Sequence, residues 1–243
     1  MALPIIYINS WPGAGKYTVA RELEKQMEGK VRVRSSSLDV SICTPQISHS
    51  LPQVRNHLHI DLAGAILPRT SADYLELRHQ LRSALFNTLA TSPDSFDHFY
   101  VFTDFQTANE EGISVASEYE AAAKKRGCAF IPVILTCQVA ENERRLRSLE
   151  RLGALEGGNG MLVDTDVLKL FRERGDVYRF QCSKQLVLDV TEITPVQAAE
   201  KIMQHVRAVC GGRGEERRKG GGGGTGSVMR GVNMDVKISD EVI

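Results

Sequence analysis

Short apolar runs alternate with longer helix-like stretches along most of the chain. The runs have the length and apolar content of buried strands, and the stretches between them show helical spacing or charge patterning. The predicted strands are Ile5–Asn9, Val31–Arg34, His98–Asp104, Ala129–Cys137 and Gln185–Val190. The predicted helices are 18–28, 71–91, 111–126, 138–150, 164–174 and 195–210. Because near-continuous apolar strands separated by helices need cover on both faces, the pattern predicts an α/β fold with a central parallel sheet.

Polar residues near the ends of these strands are the first candidates for function. In a parallel sheet the ligand lies beyond the carboxyl ends of the strands. The candidates on this ground are Asn9, Asp61, Asp104, Cys137 and Asp189. Residues 35–53 are rich in Ser, Pro and Thr without a clear period, and we interpret them as an irregular insertion.

The first predicted strand leads into a glycine-rich loop that ends in Lys16. The sequence S-W-P-G-A-G-K-Y-T at 10–18 is close to the phosphate-binding pattern G-x-x-x-x-G-K-[ST]. Ser10 replaces the first Gly, Tyr17 replaces the Mg²⁺-binding hydroxyl, and Thr18 comes one position late. Tyr17 is the more serious departure, because a phenol is unsuited to the metal position of a small hydroxyl.

The loop has the residue types that a polyphosphate site needs. Backbone N–H groups in a glycine-rich turn, followed by a helix N-terminus, form a concave anion site. Gly13 and Gly15 permit positive φ, and Lys16 supplies a compact positive charge. Trp11 is interpreted as covering the loop from outside rather than stacking on a nucleotide.

Composition argues against some classes of protein, among them dedicated nucleic-acid binders and membrane-spanning proteins. The chain of 243 residues has 30 basic and 30 acidic residues, and this balance gives little support to a dedicated nucleic-acid binder. No apolar run approaches the ~20 residues of a membrane-spanning helix, and the N-terminus lacks a signal-peptide pattern. The five cysteines are widely spaced without a C-x-x-C pair, which favours reduced thiols and a cytoplasmic location.

Residues 211–243 differ from the rest of the chain. Five consecutive glycines at 220–224 predict a disordered tail, so the folded domain is expected to span 1–210. The basic cluster at 213–219 has two interpretations, a contact for nucleic acid or an import receptor and a solvated linker. Glu215 and Glu216 interrupt the cluster and favour the linker.

The chain resembles the P-loop small-molecule kinases related to adenylate kinase, shikimate kinase and chloramphenicol phosphotransferase. The resemblance covers about residues 3–208 and is carried by INSWPGAGKYTVARELE at 8–24, NHLHIDLAGAILPR at 56–69, FTDFQ at 102–106 and ENERRLRSLER at 141–151. RERGDVYRF at 172–180 and LVLDVTEITPVQAAEKI at 186–202 extend it. The resemblance implies a three-layer αβα P-loop fold with about five strands in the order 2-3-1-4-5, and a lid at about 138–165.

The resemblance also implies roles for individual residues. Lys16 would bind the β/γ-phosphates in a loop lined by Gly13, Ala14, Gly15, Tyr17 and Thr18. Arg145 and, less securely, Arg151 match lid arginines that would neutralise the transferring phosphoryl group. The alternative for both arginines is a solvated helix face paired with Glu141, Glu143 and Glu150. Two interpretations apply to Asp164, Asp166, Arg172 and Arg174, contact with an adenine pocket and a charged helix face, and the helix face is favoured.

Asp104, Asp61 and His57 are the remaining candidates. Asp104 would hold Mg²⁺ through water, with Thr18 as a weak partner, or it would cap the following helix. Asp61 and His57 lie where this superfamily binds its acceptor, and either could take the proton of a substrate hydroxyl. The alternatives are a turn-capping Asp61 and a packed His57. His59 alternates with His57 along a possible strand and is interpreted as structural. Asn56, Arg69 and Arg78 are weak candidates for gripping an acceptor, and the favoured alternative for each is the surface.

These observations predict transfer of the γ-phosphoryl group from ATP, or another NTP, to an unidentified small molecule with the help of Mg²⁺. Two alternatives stay open. Tyr17 and the 35–53 insertion favour a catalytically weakened nucleotide-binding module, and simple NTP hydrolysis would need no acceptor. The acceptor, the base preference and the oligomeric state are not predicted.

Overall fold

The computed structural model describes residues 2–27, 31–35, 54–55, 58–148 and 164–219. His57, Arg151 and most of the predicted 35–53 insertion lie outside these residues. Contacts between backbones separate Met1–Cys210 as one compact unit from Gly211–Ile243. No helix among the described residues is long and apolar enough to cross a membrane.

The strands within the described residues form one parallel sheet. The strands are β1 (Ile5–Ser10), β2 (Val31–Ser35), β3 (Val54–Arg55), β4 (Phe99–Asp104), β5 (Phe130–Thr136) and β6 (Leu186–Asp189). Their order is β3-β2-β4-β1-β5-β6, and each neighbouring pair is parallel. The predicted order of five strands is therefore confirmed, and the two-residue strand β3 is added at one edge.

Helices follow most strands, as right-handed parallel connections require. They are α1 (Lys16–Gln26), α2 (Leu58–Ile66), α3 (Tyr74–Thr91), α4 (Glu110–Arg126), α5 (Val139–Leu146), α6 (Thr165–Glu173) and α7 (Pro195–Lys219), with a 3₁₀ turn at Pro93–Ser95. Helix α4 has the expected ends. The Asn109 side chain accepts from Gly112 N at 2.8 Å, and Gly127 ends the helix at φ 70°.

Helix α2 corrects one prediction. The segment from Leu58 to Ile66 is helical, so the strand proposed around His59 is wrong. Asp61 consequently lies in the first turn of a helix and is exposed, instead of ending a strand. Helix α5 also ends earlier than the predicted 138–150, at Leu146.

The two faces of the sheet are covered by different helices. Ile6, Ile8 and Val101 point to the side of α1 and α7, where Leu23 and Ile202 are fully buried. Tyr7, Tyr100 and Phe102 alternate with them and pack with Phe86 of α3 and Tyr119 of α4. This alternation along each strand produces the predicted three-layer αβα architecture.

The register brings the candidate residues to one edge of the sheet. Asn9 is paired with Asp104 across β1 and β4, and Ser10 with Leu135 across β1 and β5. The loop after Ser10 therefore begins between the ends of two neighbouring strands.

Candidate nucleotide site

The glycine loop turns from β1 into α1 through two left-handed glycines. Gly13 has φ 84° and Gly15 has φ 96°. Ala14 N donates to Trp11 O at 3.2 Å, and Val19 N donates to Gly15 O at 3.0 Å, which closes the first turn of α1. The first N–H groups of a helix have no partner inside the helix, so this turn presents donors at the positive end of the α1 dipole.

Lys16 begins α1, and its side chain folds back over the start of the loop. Its Nζ donates to Ser10 O at 3.3 Å and to Trp11 O at 3.4 Å. The ammonium group therefore lies within the loop, as the motif predicts for a group that meets phosphate oxygens. The structure brings Gly13, Ala14, Gly15 and Lys16 together in one turn.

Tyr17 and Thr18 do not supply the small hydroxyl that would bind Mg²⁺ at position 17. The Tyr17 ring is half-buried and has the Arg21 guanidinium 5.9 Å from its centroid, while Thr18 is exposed on the next position of α1. Consecutive residues of a helix point about 100° apart, so Thr18 does not replace a hydroxyl at position 17.

Asp104 ends β4 with both carboxylate oxygens engaged. Phe105 N donates to Oδ1 at 2.8 Å, while Gln106 Nε2 at 2.9 Å and the Tyr119 hydroxyl at 3.2 Å donate to Oδ2. Burial, with the Asp104 charge second, raises the pKa of Tyr119 well above its usual value, so the phenol stays a donor. Asp104 does not cap α4, whose N-cap is Asn109.

These contacts determine whether side chains of the site can coordinate Mg²⁺ directly. A cation held directly by the chain needs oxygen ligands with open lone pairs. Asp104 is 5% exposed and already accepts three hydrogen bonds, and Tyr17 has replaced the small hydroxyl. Among the described residues, no group of three His, Cys, Asp or Glu could hold a metal ion. The described donor set does not fit direct coordination of Mg²⁺.

Arg145 reaches the loop from α5. Its Nη1 donates to Ala14 O at 3.3 Å and lies 3.8 Å from where a Cβ on Gly15 would stand. Its Nη2 donates to Val190 O at 2.8 Å and Thr191 O at 2.9 Å. Nε pairs with Glu141 at 2.7 Å, so the ion pair predicted for a plain helix face is also present. The guanidinium thus joins the loop to the end of β6, and contact with a phosphate would require it to leave one of these carbonyls.

Three further side chains, of Trp11, Asn142 and Arg172, pack at the loop, and only Trp11 was predicted to lie there. Trp11 is 6% exposed and packs in a cluster with Ile134 of β5, Leu146 of α5 and Leu168 of α6. Its position agrees with a role in covering the loop. Asn142 is fully buried, and Arg172 lies over the Trp11 ring with its guanidinium carbon 4.9 Å from the centroid.

The interpretation of Arg172 as part of a charged helix surface is wrong. Burial lowers the pKa of the Arg172 guanidinium, which remains charged. One signal for Asn142 was available in the sequence. It lies one helical turn before Leu146, on the stripe that an amphipathic helix buries.

A second polar cluster lies on the α3 side of the sheet. Arg78 Nη2 is 3.3 Å from His59 Nε2, and burial, followed by the Arg78 charge, lowers the pKa of His59 from 6.5 to about 3. A guanidinium only donates, so Nε2 accepts and the proton of the neutral imidazole is on Nδ1. Nearby, Arg82 forms a two-point ion pair with Glu118 at 2.7 and 2.8 Å. His59 and Arg78 thus have more buried surroundings than the sequence suggested, whereas Asp61 is exposed.

Comparisons with known proteins agree with the fold. A putative kinase from Chloroflexus aurantiacus J-10-fl is 16% identical and superposes with a TM-score of 0.53, over 83% of this chain and 98% of that chain. A gluconokinase from Sinorhizobium meliloti 1021 is 12% identical with a TM-score of 0.51, over 88% and 97% of the two chains. The protein APE1195 is 16% identical with a TM-score of 0.50, over 86% and 97%.

No family model matches the sequence, and no curated protein is significantly similar to it. At these identities the structural likeness establishes the fold alone, which this chain shares with those proteins.

Proposed function

We propose that the chain binds a nucleoside triphosphate at the glycine loop and transfers its γ-phosphoryl group to a small molecule. The observation that carries the proposal is the conformation of residues 10–16. Two left-handed glycines lead into the N-terminus of α1, and the Lys16 ammonium lies within the loop. This arrangement concentrates backbone donors and one positive charge where a polyphosphate needs them.

The chain's own groups would act by positioning and charge neutralisation. In phosphoryl transfer little covalent chemistry falls to the protein, and the charge to be stabilised is spread over the phosphoryl oxygens. Lys16 would contact the β/γ-phosphates, and Arg145, which donates to Ala14 O of the loop, would help to neutralise the transferring phosphoryl group. Any Mg²⁺ would be held mainly by the nucleotide's own phosphates and water.

We propose that the acceptor binds on the α3 side of the sheet edge and carries an anionic group. Arg78 supports this, because the acceptor of its hydrogen bond is a neutral imidazole and not a carboxylate. That hydrogen bond therefore does not neutralise the positive charge of Arg78. Within the described residues, its Nε is buried without a hydrogen-bond partner. An acceptor screen should therefore begin with small hydroxy acids and phosphorylated alcohols.

Calorimetric titration of ATP tests the nucleotide site. Lys16→Ala should weaken binding at least about tenfold, because it removes a charge-assisted contact with phosphate. Lys25→Ala is the matched control, since Lys25 is on the same helix and its side chain is 63% exposed beside Glu22. Equal affinities for the wild type and both variants would contradict the proposal.

A catalytically weakened nucleotide-binding module is the second candidate, and it is favoured by Tyr17 and by the engaged carboxylate of Asp104. The two candidates differ in turnover and in their response to metal. The kinase should bind ATP more tightly with Mg²⁺ and form ADP only when an acceptor is present. The module should bind ATP equally with and without Mg²⁺ and form no ADP. ADP formation without acceptor would instead indicate an NTP hydrolase.

A further inference from the structure

Helix α5 contacts the backbone of the glycine loop through one buried amide. Asn142 Nδ2 donates to Pro12 O at 2.8 Å, and Asn142 is fully buried. A Cβ on Gly13 would lie 2.8 Å from this nitrogen and 2.9 Å from Leu146 Cδ1. The helix therefore packs against the loop so closely that only a glycine fits at position 13.

Arg172 on α6 fixes which end of that amide faces the loop. Its Nη2 donates to Asn142 Oδ1 at 2.7 Å. A guanidinium has only donors, so the amide oxygen must face Arg172 and the amide nitrogen must face Pro12. The second nitrogen contact of Arg172, to Cys137 O at 3.5 Å, and its position over Trp11 hold it there.

The hydrogen bond to Pro12 also sets the direction of the next N–H. The peptide bond is planar, and no cis peptide occurs among the described residues, so the N–H of Gly13 points opposite to the carbonyl of Pro12. Because that carbonyl is held toward α5, the N–H of Gly13 faces away from α5. Without the Asn142 donor, this peptide would be free to rotate, since Gly13 tolerates many φ and ψ values.

We propose that Asn142 and Arg172 are positioning residues for phosphate binding. Arg172 orients the amide of Asn142, and Asn142 holds the Pro12–Gly13 peptide so that the N–H of Gly13 is directed at the phosphates. The inference rests on the proposed function, because it requires a nucleotide at the loop. Neither residue contacts the nucleotide in this arrangement, and each acts through the backbone of the loop.

The primary test compares Asn142→Asp with the wild type. The carboxylate has nearly the shape of the amide and still accepts from Arg172, but it cannot donate to Pro12 O. We expect its Kd for ATP to rise about tenfold, the loss expected for one hydrogen bond in a binding site. Inorganic tripolyphosphate should lose affinity by the same factor, because the affected donor meets phosphate and not the base. Asn87→Asp, an exposed site with the same chemical change, should bind both ligands like the wild type.

A double-mutant cycle separates positioning from direct contact. Arg172→Gln should weaken ATP binding in the wild type but have no further effect in an Asn142→Ala background. A persistent effect in that background would show that Arg172 contacts the phosphates itself and would overturn the proposal. Arg174→Gln, at the exposed position that follows the last residue of the same helix, is the control.

The change in Trp11 fluorescence on adding ATP is a second readout, and it reports on nucleotide binding separately from stability. Trp11 is the single tryptophan of the chain and lies under Arg172 beside the loop, so its emission reports on this site. ATP should change the emission of the wild type and change that of Asn142→Asp only at about tenfold higher concentration, while urea midpoints show that both are folded. If Asn142→Asp does not fold, Arg172→Gln and the cycle decide the question.

The possible failures are distinguishable. ATP binding by the wild type that depends on Lys16 but is unchanged in Asn142→Asp overturns the positioning role and leaves the proposed function intact. No ATP binding by the wild type overturns both.

Discussion

At the scale of single residues, Gly13 connects the conformation of the loop to its packing. Gly13→Ala should lower the free energy of unfolding by about 2–4 kcal/mol, because alanine is strained at φ 84° and its Cβ would overlap Asn142 and Leu146. Urea denaturation measures the change, and ATP affinity should fall with it.

Gly64→Ala is the matched control, since nothing lies within 4 Å of a Cβ there and the residue is helical. It should leave stability unchanged or raise it by up to about 1 kcal/mol. A Gly13→Ala protein with the wild-type midpoint would mean that the loop does not hold this conformation.

His59 makes stability depend on pH. Its pKa is about 3 when folded, against 6.5 ordinarily, so the unfolded chain binds the extra proton. The stabilisation is therefore complete above pH about 6.5 and is lost as pH falls from about 6.5 toward 3, by up to ~1.4 kcal/mol per pH unit. The charges of Arg78 and Arg82 also act on His59 and persist over this range, and Glu118, whose pKa Arg82 lowers against the effect of burial, stays ionised over its upper part.

The pH effect is measured by urea denaturation between pH 7 and 5. His59→Gln should flatten the slope over this range, because glutamine keeps polar groups but does not titrate. His205→Gln, on α7, should retain the wild-type slope. A wild-type slope that persists in His59→Gln would assign the proton to another group.

Some residues of the candidate site belong to a contiguous sequence motif, and others reach the site only through contacts with distant parts of the chain. The conformation of the loop at Gly13, Gly15 and Lys16 was predictable, because the loop motif is contiguous. The contacts of Asn142 and Arg172 were not, since their partners lie 130 and 30 residues away in the chain. A charged residue in an amphipathic helix gives no local sign that it faces an aromatic ring in another segment.

At the scale of elements, the strands were predictable because buried parallel strands appear as uninterrupted apolar runs. Helix α2 was mispredicted, because four residues of alternation in H-L-H-I fit a strand as well as a helix. The burial of Ala63, with Leu62 and Ile66 37% and 62% exposed, shows why the apolar pattern was a poor guide there.

Arg126 ties the end of α4 to α3 and to the 3₁₀ turn that follows α3. It is 4% exposed, and its guanidinium donates to the carbonyls of Leu89 and Ser95, each at 2.6 Å, and to the Ser95 hydroxyl at 2.7 Å. Arg126→Ala should lower the free energy of unfolding by about 3 kcal/mol, because it leaves several buried acceptors without donors.

Thermal and urea denaturation check this expectation against Lys125→Ala. Lys125 is exposed on the neighbouring position and donates to Asn87 at 2.8 Å, so its removal should cost at most about 0.5 kcal/mol. Equal losses in the two variants would show that the Arg126 contacts contribute no more than a surface hydrogen bond.

At the scale of the whole molecule, α7 is where the folded domain is expected to end. Its fully or nearly fully buried side chains are Ala198, Ala199, Ile202, Met203 and Val206. Cys210 and Gly211 are exposed, and the unit defined by backbone contacts ends at residue 210. A chain ending at Cys210 should therefore keep its free energy of unfolding within about 0.5 kcal/mol and its ATP affinity within about twofold.

A chain ending at Lys201 is the contrasting truncation. It removes Ile202, Met203 and Val206 from the core shared with β1 and β5, and loss of three such side chains costs more than about 5 kcal/mol. It should lack a cooperative unfolding transition, whereas the chain ending at Cys210 should retain one. If the chain ending at Cys210 also loses its transition, residues 211–243 contribute to folding and the boundary at 210 is wrong.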